Sequence, residues 1–183
     1  MREMELKSVV DDAALRREIV ERAGGKLEFV GTLIDHRYAD PEGRMLAADN
    51  VLRLRIYESD RGREGHLDWK GPTGYEGGYK VREELTTMVG DPDSLAAILR
   101  NLGYSVIMRI ERRIRQYSLV GATVRFEEYP LMDTLVEVEG SAESIERAIE
   151  IIGLPRSGFT TDRLTEFVAR FEARGGERAM LEF

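Results

Sequence analysis

The sequence predicts an α+β protein built on an antiparallel sheet of about eight strands, with four helices. Segments in which apolar residues alternate with charged ones recur along the chain, and this period of two is typical of strands. Helical segments bounded by capping residues and by glycine separate groups of these strands. No low-complexity tract or linker interrupts the 183 residues, so we expect a single domain, residues 1–183.

The first predicted strand, residues 3–7, shows the alternation most clearly. Glu3, Glu5 and Lys7 share one face, and the apolar residues between them point the other way. Two carboxylates roughly 7 Å apart on one face repel by about 2 kcal/mol at an effective dielectric near 20. A solvated edge strand tolerates this repulsion, whereas a strand inside a domain needs a cation. Mg²⁺ prefers carboxylate oxygens and often binds phosphates on its other side. Lys7, further along the same face, is a suitable partner for such a phosphate.

One helix and four further strands are predicted in the first half of the chain. Asp11 and Asp12 can cap a helix that runs to about Ala23, and Leu15, Ile19 and Ala23 would form its buried face. The remaining strands are expected at residues 26–38, 50–57, 66–70 and 79–87. They are separated by a turn at 40–43, a polar hairpin loop at 58–65 and a glycine-rich loop at 74–78.

Three helices and three strands are predicted in the second half. The helices span residues 91–102, 141–152 with Ser141 as cap, and about 160–173. The expected buried face of the first of them consists of Leu95, Ile98, Leu99 and Leu102. The strands span residues 104–118, 122–128 and 135–139.

Several strands carry their charges on one face. Arg53 and Arg55 alternate with apolar residues in one strand, and Glu137 and Glu139 do so in another. If the sheet closes into a barrel, this face lines an enclosed lumen. An open sheet with a solvated charged face is equally compatible with the pattern.

Composition restricts the function further. The chain is 42% hydrophobic, carries a net charge of −7 and has no cysteine, which excludes disulfides, zinc–thiolate sites and thiol nucleophiles. An acidic chain binds nucleic acid poorly, and no apolar run approaches the ~20 residues that span a bilayer, so we expect neither partner. With no signal peptide, a cytoplasmic location is expected. Basic residues concentrate in the strands, which favours a small polyanion as ligand.

Six motifs occur in order between residues 3 and 140: Glu3-x-Glu5-x-Lys7, His36–Pro41, Leu52-Arg53-Leu54-Arg55, Lys70-Gly71-Pro72, Arg82-Glu83-Glu84 and Glu137-x-Glu139. Together they resemble the motifs of the CYTH family, the triphosphate tunnel metalloenzymes. This family includes class IV adenylyl cyclases, thiamine triphosphatases and inorganic triphosphatases.

The resemblance implies a closed eight-stranded antiparallel barrel with helices packed outside and a triphosphate in its lumen. It implies that one or two Mg²⁺ or Mn²⁺ ions are held by Glu3, Glu5, Glu137 and Glu139. It further implies that phosphate oxygens are held by Lys7, Arg53, Arg55, Lys70 and Arg82, with Glu84 as a further acidic site residue. Glu5, Lys7 and Lys70 are then the candidate catalytic residues.

Two segments depart from the family pattern. Around residues 109–117 the family has Lys-x-Arg, and ungapped matching places Arg112 at the lysine and Ile114 at the arginine. Side-chain alternation instead places Arg113 and Arg115 on the charged face, so all three arginines remain candidate substrate ligands. Glu127 stands where the family commonly has aspartate, which leaves its role open.

The predicted function is divalent-metal-dependent processing of a triphosphate, first of the class IV adenylyl cyclase type, which converts ATP to cyclic AMP and pyrophosphate. A triphosphatase acting on thiamine triphosphate or tripolyphosphate is the alternative, because both reactions need the same carboxylates and cations. A non-catalytic module that binds triphosphate or polyphosphate is the alternative from another class. A homodimer is possible by analogy with the family.

Overall fold

The computed structural model describes residues 2–182, and it describes side chains from residue 4 onward. The strands of this part are β1 (Arg2–Val9), β2 (Lys26–Ala39), β3 (Val51–Ser59), β4 (Gly62–Lys70), β5 (Gly74–Glu76), β6 (Tyr79–Val89), β7 (Ser105–Leu119), β8 (Ala122–Glu128) and β9 (Leu135–Glu139). The helices are α1 (Ala13–Arg22), α2 (Arg44–Ala47), α3 (Pro92–Asn101), α4 (Ala142–Ile152) and α5 (Leu164–Gly175).

Eight strands close into an antiparallel barrel in the order β1-β9-β8-β7-β2-β3-β4-β6, and β1 pairs with β6 to complete the ring. The strand β5 pairs with the first three residues of β6, from Tyr79 to Val81, and lies outside the ring. Beyond the pairing of Glu5 with Lys80, β6 no longer reaches β1. There Thr160 exchanges two backbone hydrogen bonds of 2.9 and 2.8 Å with Lys7. The predicted α+β barrel is therefore confirmed, and the open sheet is excluded.

Most of the apolar core lies outside the barrel, between the sheet and the helices. Its largest cluster packs α4 against β1, β8 and β9, and Leu6, Phe126 and Ile145 are almost fully buried in it. A second cluster forms beneath α3 around Leu54 and Leu99, and a third joins β7 to α5. Because the helices cover the outer faces, the inward faces are free to carry charge.

Several predicted elements differ from the structure. A tight turn at Asp60 and Arg61 joins β3 to β4, where a polar loop over residues 58–65 was predicted, because strand pairing continues through exposed polar residues. The strand β5 and the helix α2 were not predicted. The last helix begins at Leu164 rather than at 160–162, since Thr160 is held in the barrel seam.

The predicted buried faces of two helices were wrong in part. In α1 the buried residue is Val20, whereas Leu15 is exposed and Ile19 only half-buried. In α3 Leu99 is buried, but Ile98 and Leu102 are exposed. Apolar spacing shows that a helix has an apolar stripe, but it does not fix the rotation of the helix on the sheet. The described helices include none that is long and apolar enough to cross a membrane.

Truncation of Ile145, which is 0% exposed in α4, tests the location of the core. The change Ile145→Ala should lower the free energy of unfolding by about 2–5 kcal/mol, because it removes buried methyl groups and leaves a cavity. Urea denaturation followed by circular dichroism measures this loss. The matched change Ile98→Ala, at a position 54% exposed in α3, should stay within about 0.5 kcal/mol of wild type. Equal losses for the two variants would contradict the core described here.

Candidate active site in the barrel lumen

The barrel encloses a cavity of about 820 Å³ lined mainly by the inward faces of its strands. Charged groups dominate the described side chains of this lining, with ten basic and eight acidic residues. The basic residues are Lys7, Arg37, Arg53, Arg55, Lys70, Lys80, Arg82, Arg112, Arg125 and Arg163. The acidic residues are Glu5, Asp35, Asp49, Asp68, Glu84, Glu127, Glu137 and Glu139. A cationic cavity therefore lies inside a protein whose net charge is −7.

Asp35 of β2 is the centre of an arginine cluster. Its carboxylate lies 3.1 Å from Arg55 Nε and 3.0 Å from Arg112 Nη1, and Arg53 Nη1 approaches to 3.6 Å. Asp68 gives Arg53 a second partner at 2.7 Å. Burial alone would raise the pKa of Asp35, but the nearby charges of Arg112, Arg53 and Arg55 hold that pKa well below its usual value. Asp35 is therefore an anion that fixes the guanidinium groups.

Glu127 of β8 extends this cluster along the lumen. It accepts hydrogen bonds from Arg112 Nε at 2.9 Å and from the Tyr129 hydroxyl at 2.8 Å. Burial works against the ionised carboxylate, but the Arg112 charge lowers the pKa of Glu127 below its usual value. Burial and the adjacent Glu127 charge both raise the pKa of Tyr129, so its hydroxyl remains a donor.

Glu5, Glu137 and Lys7 form a second cluster where β1 meets β9 and β6. Lys7 Nζ lies 2.6 Å from Glu137 and 3.9 Å from Glu5. Glu137 also accepts a hydrogen bond of 2.7 Å from Arg125, and Lys80 donates to Glu5. Burial would raise the pKa of each glutamate, but the Lys7 charge, together with that of Lys80 at Glu5 and of Arg125 at Glu137, outweighs it, so both pKa values lie below their usual range. Both carboxylates are therefore ionised at neutral pH.

Lys70 and Arg82 lie on neighbouring strands of the same cavity. Lys70 pairs with Glu84 across β4 and β6. Arg82 is held by backbone carbonyl groups, through a bond of 2.6 Å to Gly71 and a second bond to Asp49. Burial lowers the pKa of Arg82, and no carboxylate bonds directly to it among the described contacts.

The end of the cavity beneath α5 is apolar. Leu164 and Val168 of α5 line it together with Leu181, which follows that helix. Met108 and Ile110 of β7 meet them there, and Met108, Leu164 and Leu181 pack on the buried cluster that contains Phe167. Arg163, at the start of α5, lies 3.0 Å from Asp49 and 3.1 Å from the Thr73 hydroxyl, which fixes the helix to the barrel rim.

The structure brings most of the predicted site residues together. The residues Glu5, Lys7, Arg53, Arg55, Lys70, Arg82, Glu84, Arg112, Glu127, Glu137 and Glu139 all line the lumen. The side chain of Glu3 lies outside the described part of the chain, so its metal role stays a prediction. In the register, Glu3 is opposite Arg82, and Glu5 is opposite both Lys80 and Glu139.

Arg113 and Arg115 do not line the cavity, and their placement on the lumen face was wrong. Both are exposed on the outer face of β7, whereas Arg112 is buried inside. The alternation argument failed because it took the face with Ile110 and Ile114 to be the outer one. In this barrel the lumen face of β7 is partly apolar, because Ile110 lines the cavity beside Arg112 and Ile114 is buried on the same face of the strand. Arg112, which ungapped matching placed at the family's lysine, lines the lumen.

Several lining residues were not predicted: Asp35, Arg37, Asp49, Asp68, Lys80, Arg125 and Arg163. Alternation could have found some of them, because Lys80 precedes Arg82 by two positions and Arg125 precedes Glu127 by two. Arg163 could not be found this way, since it reaches the rim from a helix.

Three carboxylates at and beside the second cluster are of the ligand type that divalent cations prefer. Glu5, Glu137 and Glu139 provide carboxylate oxygens from adjacent strands, and hard cations prefer such ligands. Within residues 4–182, whose side chains are described, no three acidic or histidine groups converge on one point. Lys7, Lys80 and Arg125 stand between them as counter-charges.

Comparison with known families decides where the chain belongs. The family model described as "CYTH domain" matches residues 1–152. The chain belongs to the CYTH family. No curated protein matches the sequence. This CYTH protein places α5 and Leu181, which lie beyond the matched segment, at the apolar end of its lumen.

Solved structures share the fold of this CYTH protein. PH1819 from Pyrococcus horikoshii is 22% identical, with a TM-score of 0.75 over 92% of this chain and 98% of that one. A candidate adenylate cyclase from Vibrio parahaemolyticus is 18% identical, with a TM-score of 0.77 over 91% and 97%. HpAC1 from Hippeastrum, a candidate adenylyl cyclase described as having a dominant triphosphatase activity, is 16% identical, with a TM-score of 0.62 over 98% and 99%. The neighbours thus include proteins linked to both activities.

The change Asp35→Asn tests the arginine cluster. At pH 7 it should lower the free energy of unfolding by about 3–5 kcal/mol, because it leaves buried guanidinium groups without their shared anion. The folded-state pKa of Asp35 is depressed, so its contribution is complete above the unfolded pKa of ~3.9 and is lost as the pH falls below it. Urea denaturation at pH 7 and pH 3 should therefore show a smaller acid-induced loss in the variant than in wild type.

The exposed Asp60 in the turn between β3 and β4 provides the control, and Asp60→Asn should match wild type at both pH values. A stable Asp35→Asn variant with an unchanged acid profile would show that the cluster does not depend on this carboxylate.

Proposed function

We propose that this protein is a divalent-metal-dependent enzyme that cleaves a triphosphate inside the barrel, first of the class IV adenylyl cyclase type. In that reaction the 3′-hydroxyl of ATP attacks the α-phosphorus and releases pyrophosphate. The observation that carries the proposal is the convergence of ten basic side chains on one cavity of about 820 Å³, where eight acidic side chains are described, in a chain that is acidic overall. An excess of positive charge in such a cavity favours the binding of an anion.

The arginine cluster supplies the phosphate-binding groups. Arg53 uses Nε and Nη2 on Asp68, and Arg55 uses Nε on Asp35, which leaves other donors of each planar fork for phosphate oxygens. Because the carboxylates already hold these side chains in place, little conformational entropy is lost when the substrate binds. Lys7, Lys70 and Arg82 add cationic groups on neighbouring strands.

Phosphoryl and nucleotidyl transfer depend mainly on alignment of the reacting groups and on neutralisation of charge. We assign the cation-holding role to Glu5, Glu137 and Glu139, with Glu3 as a fourth predicted ligand. A bound Mg²⁺ or Mn²⁺ would supply charge neutralisation on the transferring group. The charge of Lys7 helps to keep Glu137 and Glu5 ionised. Burial alone would lower the pKa of Lys7, but the charges of the two glutamates outweigh burial and raise that pKa. The lysine therefore remains a cation beside the phosphates.

A triphosphatase is the second candidate, and the dominant triphosphatase activity described for HpAC1 favours it. Water would then attack a terminal phosphorus in place of the ribose hydroxyl, with the same side chains holding the phosphate chain. The substrate would be thiamine triphosphate or inorganic tripolyphosphate. The expected cytoplasmic location and a possible homodimer remain part of this proposal.

One experiment separates these functions. The purified protein is incubated with Mn²⁺ and, in parallel, with ATP, thiamine triphosphate or tripolyphosphate, and the products are identified by chromatography. Cyclic AMP with pyrophosphate supports the cyclase, and orthophosphate supports the triphosphatase. Tight binding of a triphosphate without turnover would contradict an enzyme and support a binding module.

The change Glu5→Gln tests the cation-holding role at nearly constant side-chain volume. It should lower the turnover number by at least about 100-fold, because the site loses an ionised ligand. Initial rates at saturating Mn²⁺ measure this effect, and circular dichroism checks that the barrel is folded. Glu150→Gln, on the exposed side of α4, is the matched control and should retain wild-type turnover. Full activity of Glu5→Gln would refute the assignment.

A further inference from the structure

Among the described side chains, two lumen arginines carry a buried donor without a hydrogen-bond partner: Arg112 at Nη1 and Arg37 of β2 at Nε. Arg37 is the one of the two without an ion pair among the described residues. Its Nε atom is shielded from solvent and has no hydrogen-bond partner in the described part of the chain. Its neighbours in the cluster each contact a carboxylate, at 2.7 Å for Arg53, 3.1 Å for Arg55 and 2.9 Å for Arg112. No such ion pair of Arg37 occurs among the described residues. A buried donor without a partner is costly, so the site is built for a group that arrives later.

Positive charges outnumber negative ones around Arg37. It stands directly opposite Arg53 in the register of β2 and β3, and like charges in that position repel. The cluster contains four arginines but three carboxylates, namely Asp35, Asp68 and Glu127. Burial, and after it the Arg53 charge, lowers the pKa of Arg37 to about 10. Arg37 remains charged at neutral pH, and an anion beside it would relieve both the burial cost and the repulsion.

Arg37 also lies next to the apolar end of the lumen. Its register partner on β7 is Met108, which packs with Leu164 and Leu181 beneath α5. The apolar side chains there offer no donor to a further phosphate. The Glu5–Glu137 cluster, which we assign to the cation, lies at a different part of the wall, on β1 and β9. A phosphate chain that passes Arg53 and Arg112 would therefore end at Arg37.

We propose that Arg37 binds the terminal phosphoryl group of the substrate and makes the enzyme prefer triphosphates over diphosphates. The terminal group carries the largest negative charge of a phosphate chain, because its last ionisation has a pKa near 6. It therefore matches a cation that lacks a counter-ion. This inference rests on the proposed triphosphate function and deepens it, since it assigns the chain-length preference to one side chain.

The test compares the binding of tripolyphosphate and pyrophosphate to the full-length protein by calorimetry. Arg37→Gln should weaken tripolyphosphate binding about 10- to 100-fold, the size expected for one charge-assisted contact, and should change pyrophosphate binding by less than about threefold. Arg37→Lys should recover part of the tripolyphosphate affinity. Arg115→Gln, on the exposed outer face of β7, is the matched control and should bind both ligands like wild type.

Thermal denaturation without ligand separates a binding role from a structural one. Arg37→Gln should melt at the wild-type temperature or above it, because the substitution removes an uncompensated buried charge. A lower melting temperature together with equal losses of both ligands would overturn the proposal and give Arg37 a structural role. If Arg37→Gln binds tripolyphosphate as tightly as wild type does, the proposal for Arg37 is overturned, but the proposed function is not. Failure of the wild-type protein to bind either phosphate would overturn the proposed function as well.

Discussion

The structure depends on the compensation of charges that are buried inside the barrel. Isolated charges in a protein interior are strongly destabilising, and an ion pair offsets this only with good geometry and further hydrogen bonds. Asp35 contributes to this compensation, because its carboxylate contacts Arg55 and Arg112 within 3.1 Å, while Asp68 pairs with Arg53 and Glu127 pairs with Arg112. The same contacts hold the guanidinium groups at fixed positions around the cavity. The stability of the lumen and the proposed binding of phosphate therefore depend on the same contacts.

This arrangement requires the helices to lie outside. In a sheet with one buried face, the apolar residues normally form the core and the charged ones meet water. Here the apolar faces of the strands are covered by α1, α3 and α4, and the charged faces enclose a space. The helix α5 differs from them because Leu164 and Val168 line the cavity itself. As a result, the lumen combines a charged wall with an apolar end beneath α5.

The sequence predicted the barrel and much of its lining because both depend on a local pattern. Alternation in β3 and β9 placed Arg53, Arg55, Glu137 and Glu139 on charged faces, and only the resemblance to the family motifs predicted that these faces line a closed barrel. The pattern failed at Arg113 and Arg115, because the lumen face of β7 is partly apolar and therefore looks like an outer face. It could not find Arg163, whose contact with Asp49 joins residues 114 positions apart. The rotation of α1 and the surplus charge at Arg37 likewise depend on packing between distant segments.

The central claim is that the buried cations bind a phosphate chain next to the carboxylates that hold a cation. A crystal structure of the protein with Mn²⁺ and a non-hydrolysable ATP analogue tests it most directly. We predict phosphate density within the lumen in contact with Arg53 and Arg112, and Mn²⁺ density in contact with Glu5 and Glu137. Phosphates bound on the outer surface of the barrel, with the Asp35 cluster unchanged inside, would contradict this account.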